Sequence, residues 1–357
     1  MINQQNHAAD DVLNPSPMSS SSAAELFFED RLSRTVRLII DKLGWNYSAR
    51  PLIFGDLIRF EFFTFDQSMS TPSTTEPVLF DVVADMHAPD LYQPIATAHS
   101  VERLTDIGPA EIAFYHEHGY LAVRQAFTPT EIQNAIDGLV SLIMGRRPDF
   151  KHVYFEGKAK EILATLGPEQ RQDAVRKLGL FVDFDERLKA ISHHPQMLAA
   201  LQPLLLGAEP SMFQDMALIK PPRLGREKPW HQDKAYFDYP IGTPIVGVWI
   251  ALDEATVENG CMQILPGRHQ EGPILHFQRR DWQICDNTIL GTKSVAVPLK
   301  PGGLLFFDGL LPHGTPHNSS DNRRRALQFH YAPTGVSKTA EAERLSHFGG
   351  EGKNVSC

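Results

Sequence analysis

"GGLLFFDGLLPHGTPHNSSDNRRRALQFHYAP", Gly302 to Pro333, contains two apolar runs separated by a turn-rich loop. Leu304 to Phe307 is one run, bracketed by glycines; "RALQFHYAP" is the other, closed by a proline that cannot donate to a sheet ladder. Runs of the same kind precede them: "MALIKP", "PIVGVWIAL", "CMQILPG" and "SVAVPL". Short strands in succession without intervening helices predict antiparallel pairing in a sandwich or barrel. Before Met212 the pattern is helical instead. "DIGPAEIAFYHEHGYLAV" reads as a capped helix that stops at Gly119 and runs into a strand. In "TPTEIQNAIDGLVSLIMG", Thr128 caps, Pro129 takes the first helical position, Glu131 completes a capping box and Gly145 ends the helix. Further helices are expected around Pro168 to Lys177 and Pro195 to Leu206. The fold class is therefore mainly β with flanking helices, a jelly-roll core with helices outside it.

The first hundred residues differ in character. Residues 1–24, rich in Ser, Asn, Asp and Pro, read as a disordered tail. Residues 25–102 read as an accessory segment of unknown role. They hold an amphipathic helix from Glu25 to Gly44, strand-like "PLIFGDLIRFEFFTF", a linker "QSMSTPSTTEP" and a further strand in "VLFDVVADM". Residues 103–340 form the main domain, and 341–357 a C-terminal tail.

At 357 residues, 42% hydrophobic and 22% charged, the chain has the composition of an ordinary globular enzyme. A net charge of −9 argues against nucleic acid as a partner, since phosphate binding needs clustered Lys and Arg. Three widely spaced cysteines, Cys261, Cys285 and Cys357, suggest no disulfide framework. No apolar run is long enough to span a bilayer, and the N-terminus lacks the basic head and apolar core of a signal peptide, so a cytoplasmic location is expected.

Chemistry enters with "EKPWHQDKAYFDYP", Glu227 to Pro240, where His231 and Asp233 lie two residues apart. On an extended segment such residues point to one side and can converge on one ion. Two imidazoles and one carboxylate on one face of a ferrous ion leave three positions open. The second histidine would come from a distant strand. His313, beside Gly314 at the end of the Leu304–Phe307 run, ranks first and His317 competes with it. An H-x-D pair is common by chance, so these residues alone leave a surface pair as an open reading.

Five stretches in order, "MALIKPP", "WHQDKAYF", "VGVWIALDEATVENGCMQILPGRH", "GGLLFFDGLLPHGTPHN" and "RRRAL", resemble the phytanoyl-CoA dioxygenase family of Fe(II)- and 2-oxoglutarate-dependent oxygenases. With the helical stretch from about Leu104, the likeness covers roughly two-thirds of the chain. It implies a double-stranded β-helix, cupin-like core, with His231, Asp233 and His313 as iron ligands. It also implies that Arg324 grips the far carboxylate of 2-oxoglutarate, in a two-point geometry that Lys does not copy. Strand alternation would turn Arg323 and Arg325 to the opposite face. Thr315 resembles the hydroxyl residue on the same carboxylate. Met216, Trp249, Gln232 and Lys177 match positions that line the cosubstrate pocket, although alternation turns the Gln232 side chain away from the iron and leaves only its backbone there. Core packing accounts for Met216 and Trp249 equally well, and a solvated helix position accounts for Lys177.

The resemblance further gives His269 a turn or supporting role, and the residue chemistry has Asn318 bracing the His313 loop. Tyr236 and Phe237 are candidates for walling a substrate pocket. The implied reaction consumes 2-oxoglutarate and O2, releases succinate and CO2, and hydroxylates an unactivated C–H bond of a small organic substrate. The carboxylate of Asp233 points away from halogenation and leaves desaturation or ring formation open. Arg223, Arg226 and Lys228 raise an anionic substrate, with a solvated loop as the competing reading; a secondary metabolite is a further option. Two rivals are a non-catalytic metal-binding jelly-roll sensor and a zinc hydrolase, since two His and one Asp also suit zinc. Neither rival requires Arg324.

Overall fold

The computed structural model describes residues 87–156 and 165–350, together with the backbone of strands Ala49–Phe54, Leu57–Phe62 and Val78–Leu79. The chain divides into two units, residues 1–74 and 75–357. In the first, Ala49–Phe54 and Leu57–Phe62 pair as an antiparallel hairpin, as their aromatic and β-branched residues predict. The expected helix from Glu25 to Gly44 and the linker after it lie outside the described residues.

The second unit holds a jelly roll of eight strands: β1 Pro210–Lys220, β2 Lys228–His231, β3 Val246–Ala251, β4 Met262–Ile264, β5 Val295–Val297, β6 Leu304–Asp308, β7 His313–Thr315 and β8 Arg324–Pro333. One sheet contains β1-β8-β3-β6 and the other β2-β7-β4-β5, all antiparallel. Each of the expected strand runs after Met212 forms one of these strands. The mainly β fold with a double-stranded β-helix core is what the structure shows. Short strands extend both sheets, Tyr120–Val123 and Val175–Gly179 on the larger and Ala96–Thr97 on the smaller.

Burial explains why the large sheet's strands read as continuous apolar runs. All six residues of β3 are buried, because both faces are covered. Val246, Val248 and Ile250 pack outward against helix Pro129–Ile143 and its neighbours, while Trp249 and Ala251 face the smaller sheet. That helix carries the predicted box: the Thr128 N–H donates to Glu131 Oε2 at 2.8 Å. Helix Pro109–His118 ends at Gly119, whose φ of 77° is a left-handed conformation. A Cβ there would also lie 2.5 Å from His269 Nδ1, so Gly119 is required both for its turn and for the histidine packed on it.

Three expectations need correction. Helix around Pro168 to Lys177 ends at Arg171, with a 3-10 turn over Gln172–Ala174. Lys177 lies on strand Val175–Gly179, because the edge of β1 offers unpaired backbone groups that a helix would leave unsatisfied. Residues 341–350 are not a bare tail: helix Glu341–Phe348 buries Phe348 and Arg344. Nor are residues 87–102 merely accessory. Leu91 and Tyr92 pack with Trp230 in one cluster, and the Tyr92 and Trp230 rings stack at 5.7 Å. Among the described residues no helix is long and apolar enough to cross a membrane.

Candidate active site

β2 and β7 pair so that His231 stands directly opposite His313, with ring centroids 4.2 Å apart. Gln232 is extended (φ −112°, ψ 128°), which returns Asp233 to the His231 side at the start of a 3-10 turn, Asp233–Tyr236. Ligand atoms of His231, Asp233 and His313 all lie within 4.8 Å of one another, and all three residues are buried. His231 Nδ1 is 2.7 Å from the Pro229 carbonyl and His313 Nδ1 is 2.9 Å from that of Leu311. A carbonyl only accepts, so each Nδ1 carries the proton and each Nε2 lone pair is left toward Asp233. Those Nε2 atoms stand 3.2 Å and 3.6 Å from the Asp233 carboxylate.

Electrostatics agree with a ligand role. Burial pushes the His313 imidazole down to about 3, so it is neutral at neutral pH. Burial works to raise the Asp233 carboxyl, but the imidazoles around it, with the hydrogen bond that His330 donates, hold it well below the usual carboxylate range. Asp233 Oδ2 accepts from His330 Nε2 at 2.7 Å and Gln328 Nε2 at 3.0 Å, both from the buried inner face of β8. Sequence reasoning missed these two. Their signal is alternation, since Arg324, Ala326, Gln328 and His330 share one face of "RALQFHYAP" and its preceding arginine. Gly247 adds a support: a Cβ there would come within 2.2 Å of the Phe307 ring, which packs edge-on against His313 at 4.8 Å.

A cavity of about 330 Å³ opens from this cluster. Arg324, Thr315, Trp249, Met216 and Lys177 line it, as do Tyr236 and Phe237. Arg324 is 2% exposed, its guanidinium lies 5.4 Å over the Trp249 ring, and its Nε has no hydrogen-bond partner. Burial lowers its pKa to about 10, which leaves it cationic at neutral pH. Arg323 and Arg325 turn the other way, to Asp173 and Asp253 at 2.8 Å, as alternation predicts. Lys177 reaches the cavity from its strand and is no solvated helix charge.

Gln232 is the misplaced member of the predicted set. Its Nε2 donates to the carbonyls of Gly272 and Leu310, its Oε1 accepts from the Ile274 N–H, and its backbone N–H donates to His276 Nε2. Both side chain and backbone are thus committed to the segment Gly272 to His276 and to Leu310 in the turn before β7, and the residue does not line the cavity. His317 lies outside the metal cluster and the cavity wall. His269 packs on the Gly119 turn, with Nε2 3.1 Å from the His116 carbonyl. Asn318 braces its loop by donating to the carbonyls of Lys220, Pro221 and Asn322. Arg223 pairs with exposed Asp321, away from the cavity, whereas Arg226 and Lys228 line it.

The donor set fits Fe(II) with 2-oxoglutarate. Two neutral imidazoles and one ionised carboxylate occupy one side of a site that opens onto the cavity, and a buried guanidinium with an unused Nε awaits an anion there. Comparisons with known proteins agree. The family model "Phytanoyl-CoA dioxygenase (PhyH)" matches residues 115–326. The rat phytanoyl-CoA dioxygenase domain-containing protein 1 is 32% identical over 155 residues, covering 41% of this chain and 53% of the relative. An Arabidopsis thaliana phytanoyl-CoA dioxygenase is 26% identical over 260 residues, covering 65% of this chain and 91% of the relative. The chain thus spans about half the length of the rat relative. Among solved structures, the non-heme alpha-ketoglutarate-dependent carbocyclase SnoK from nogalamycin biosynthesis shares the fold. Its TM-score is 0.52 at 19% identity, over 72% of this chain and 96% of that one.

Proposed function

We propose that this chain, which belongs to the phytanoyl-CoA dioxygenase family, is an Fe(II)- and 2-oxoglutarate-dependent oxygenase. It hydroxylates an unactivated C–H bond of a small organic substrate and releases succinate and CO2. The observation that carries this reading is the buried Arg324 fork on the wall of the same cavity into which His231, Asp233 and His313 converge. A zinc hydrolase or a metal-binding sensor has no use for that arginine.

Each residue has a separable task. His231 and His313 offer Nε2 while the Pro229 and Leu311 carbonyls fix their tautomers. Asp233 offers a carboxylate that His330 and Gln328 hold in orientation. Arg324 takes the far carboxylate of 2-oxoglutarate in two-point fashion, Thr315 adds a hydroxyl, and Trp249 and Met216 wall the cosubstrate. Lys177 joins them from the neighbouring strand. Bound iron supplies the oxidising chemistry by coupling O2 to decarboxylation of 2-oxoglutarate; the protein positions the partners and excludes water. The full carboxylate at Asp233 favours hydroxylation over halogenation.

Anaerobic titration of the metal-free protein with Fe(II) and 2-oxoglutarate tests the reading. A metal-to-ligand charge-transfer absorption is expected. Its absence with both components saturating sinks the oxygenase assignment.

A further inference from the structure

Of the three metal-facing residues, Asp233 alone lies off a strand, on the 3-10 turn Asp233–Tyr236. A single turn of that kind is not stable by itself, so its place depends on what packs around it. From the cavity side, Gln328 and His330 hold the carboxylate. From the other side, the backbone before and after Asp233 is held by one element. That element is helix Glu341–Phe348, which lies beyond the residues that the family model matches.

Arg344 is the first anchor. It is 8% exposed, and its guanidinium is divided among three acceptors. Nη1 donates to the Ala235 carbonyl and Nε to Asp238 Oδ1, both at 2.7 Å, and Nη2 to Glu341 Oε1 at 3.0 Å. The Ala235 bond completes the turn: the Phe237 N–H bonds back to Lys234, and the next carbonyl takes the arginine. The same guanidinium lies 5.4 Å over the Trp282 ring. Trp282 packs edge-on against Tyr236 at 5.4 Å, and its carbonyl accepts from the Tyr236 hydroxyl at 2.6 Å. Phe348, one helical turn along on the same face, is the second anchor. It packs edge-on against His276 at 5.8 Å, and His276 Nε2 accepts from the Gln232 N–H at 3.0 Å. Gln232 directly precedes Asp233 and Ala235 follows it by two, so the two anchors bracket the ligand.

We propose that Arg344 is a positioning residue of the metal site. By holding the Ala235 carbonyl and Asp238 against Trp282, it sets where the Asp233 carboxylate points and where Tyr236 walls the cavity; Phe348 fixes the Gln232 side through His276. The placement matters because a carboxylate and two imidazoles make one metal face only when all three aim at one point. The planar fork of Arg serves a carbonyl and a carboxylate together, whereas the point charge of Lys serves one of them. The inference deepens the oxygenase reading and rests on it for the identity of the metal, but not for the binding of a divalent ion.

Calorimetric titration of the metal-free protein with Mn(II), standing in for Fe(II), reads the site without turnover. Arg344→Gln is expected to weaken Mn(II) binding about tenfold, at a temperature where circular dichroism and denaturant titration show the variant folded. With Fe(II) saturating, its kcat for succinate formation should fall about tenfold, while the KM for 2-oxoglutarate, set by Arg324 on β8, changes less than about twofold. Glu341→Gln, which removes only an exposed partner of Arg344, should match the wild type on every readout. Wild-type Mn(II) affinity in folded Arg344→Gln overturns the inference, as does an equal loss in Glu341→Gln. A rise in that KM as large as the fall in kcat overturns it too, since it would mark a general loosening of the cavity. Should Arg344→Gln fail to fold, Arg344→Lys decides: affinity about threefold below wild type supports the role and wild-type affinity overturns it. A wild type that binds no Mn(II) defeats the oxygenase reading; one that binds it with the variants unchanged defeats the role of Arg344 alone.

Discussion

The two ends of the cavity are built by different rules. At the inner end the metal-facing side chains and Arg324 project from a jelly-roll strand or the turn directly following one, and each has a single role: Nε2, carboxylate, guanidinium. At the outer end the wall comes from strand Val175–Gly179, the segment after β1, and the hairpin His276–Gln278 with Trp282–Ile284. There the charges are shared, with one carboxylate between two arginines and Lys228 between Asp281 and the Tyr236 hydroxyl. The inner end aims single side chains at one point; the outer end engages its charges with one another.

That contrast breaks first at His313. His313→Ala should reduce succinate formation to the background of metal-free protein, while His317→Ala retains most of it. The reverse pattern would move the third ligand off β7. Next in size is Arg324→Leu, expected to raise the KM for 2-oxoglutarate by about a hundredfold, because a bidentate charge-assisted contact is lost. Arg226→Gln should leave that KM nearly unchanged. Comparable effects from both would mean that the two ends are one site.

The last effect concerns acid and reads stability rather than turnover. Burial pushes His276 down to about 3, and its Nε2 accepts from the Gln232 N–H, so the native state needs it neutral. The unfolded chain protonates it near its ordinary value of about 6.5, as it does His313. Both groups are neutral in either state above that value. Below it the unfolded state binds protons that the native state refuses. Stability of the metal-free protein should therefore fall as pH drops from about 6.5 toward 3, by roughly 1.4 kcal/mol per pH unit for each such histidine. Denaturant titrations at pH 7 and pH 5 check this; equal midpoints would show that His276 protonates freely in the native protein.

How far the sequence can be read follows the same division. The strands are legible from their apolar runs, whereas His231, Asp233, His313 and Arg324 stand out together only through the family resemblance, since the H-x-D spacing alone leaves a surface pair open. Gln328 and His330 obey strand alternation, and are obscured only because "RALQFHYAP" reads as a core strand with no chemistry assigned to it. Lys177 reads as helical because its neighbours favour a helix, and pairing with β1 overrides that local preference. Glu156 and Arg176 carry no local signal at all. Their meeting depends on three segments brought together from distant parts of the chain. Gln232 shows the converse: a matching position whose side chain and backbone are taken by a loop some forty residues away.

His231 and His313 belong to the smaller sheet, whereas the Asp233 carboxylate is held by β8 of the larger. An ion on these three residues is therefore a rivet between the two layers as well as a reagent. Whatever binds the native chain and not the unfolded one stabilises it by mass action, by about 2.7 kcal/mol at a hundred times its dissociation constant. Iron supply would then govern how long the molecule survives, and not only how fast it works.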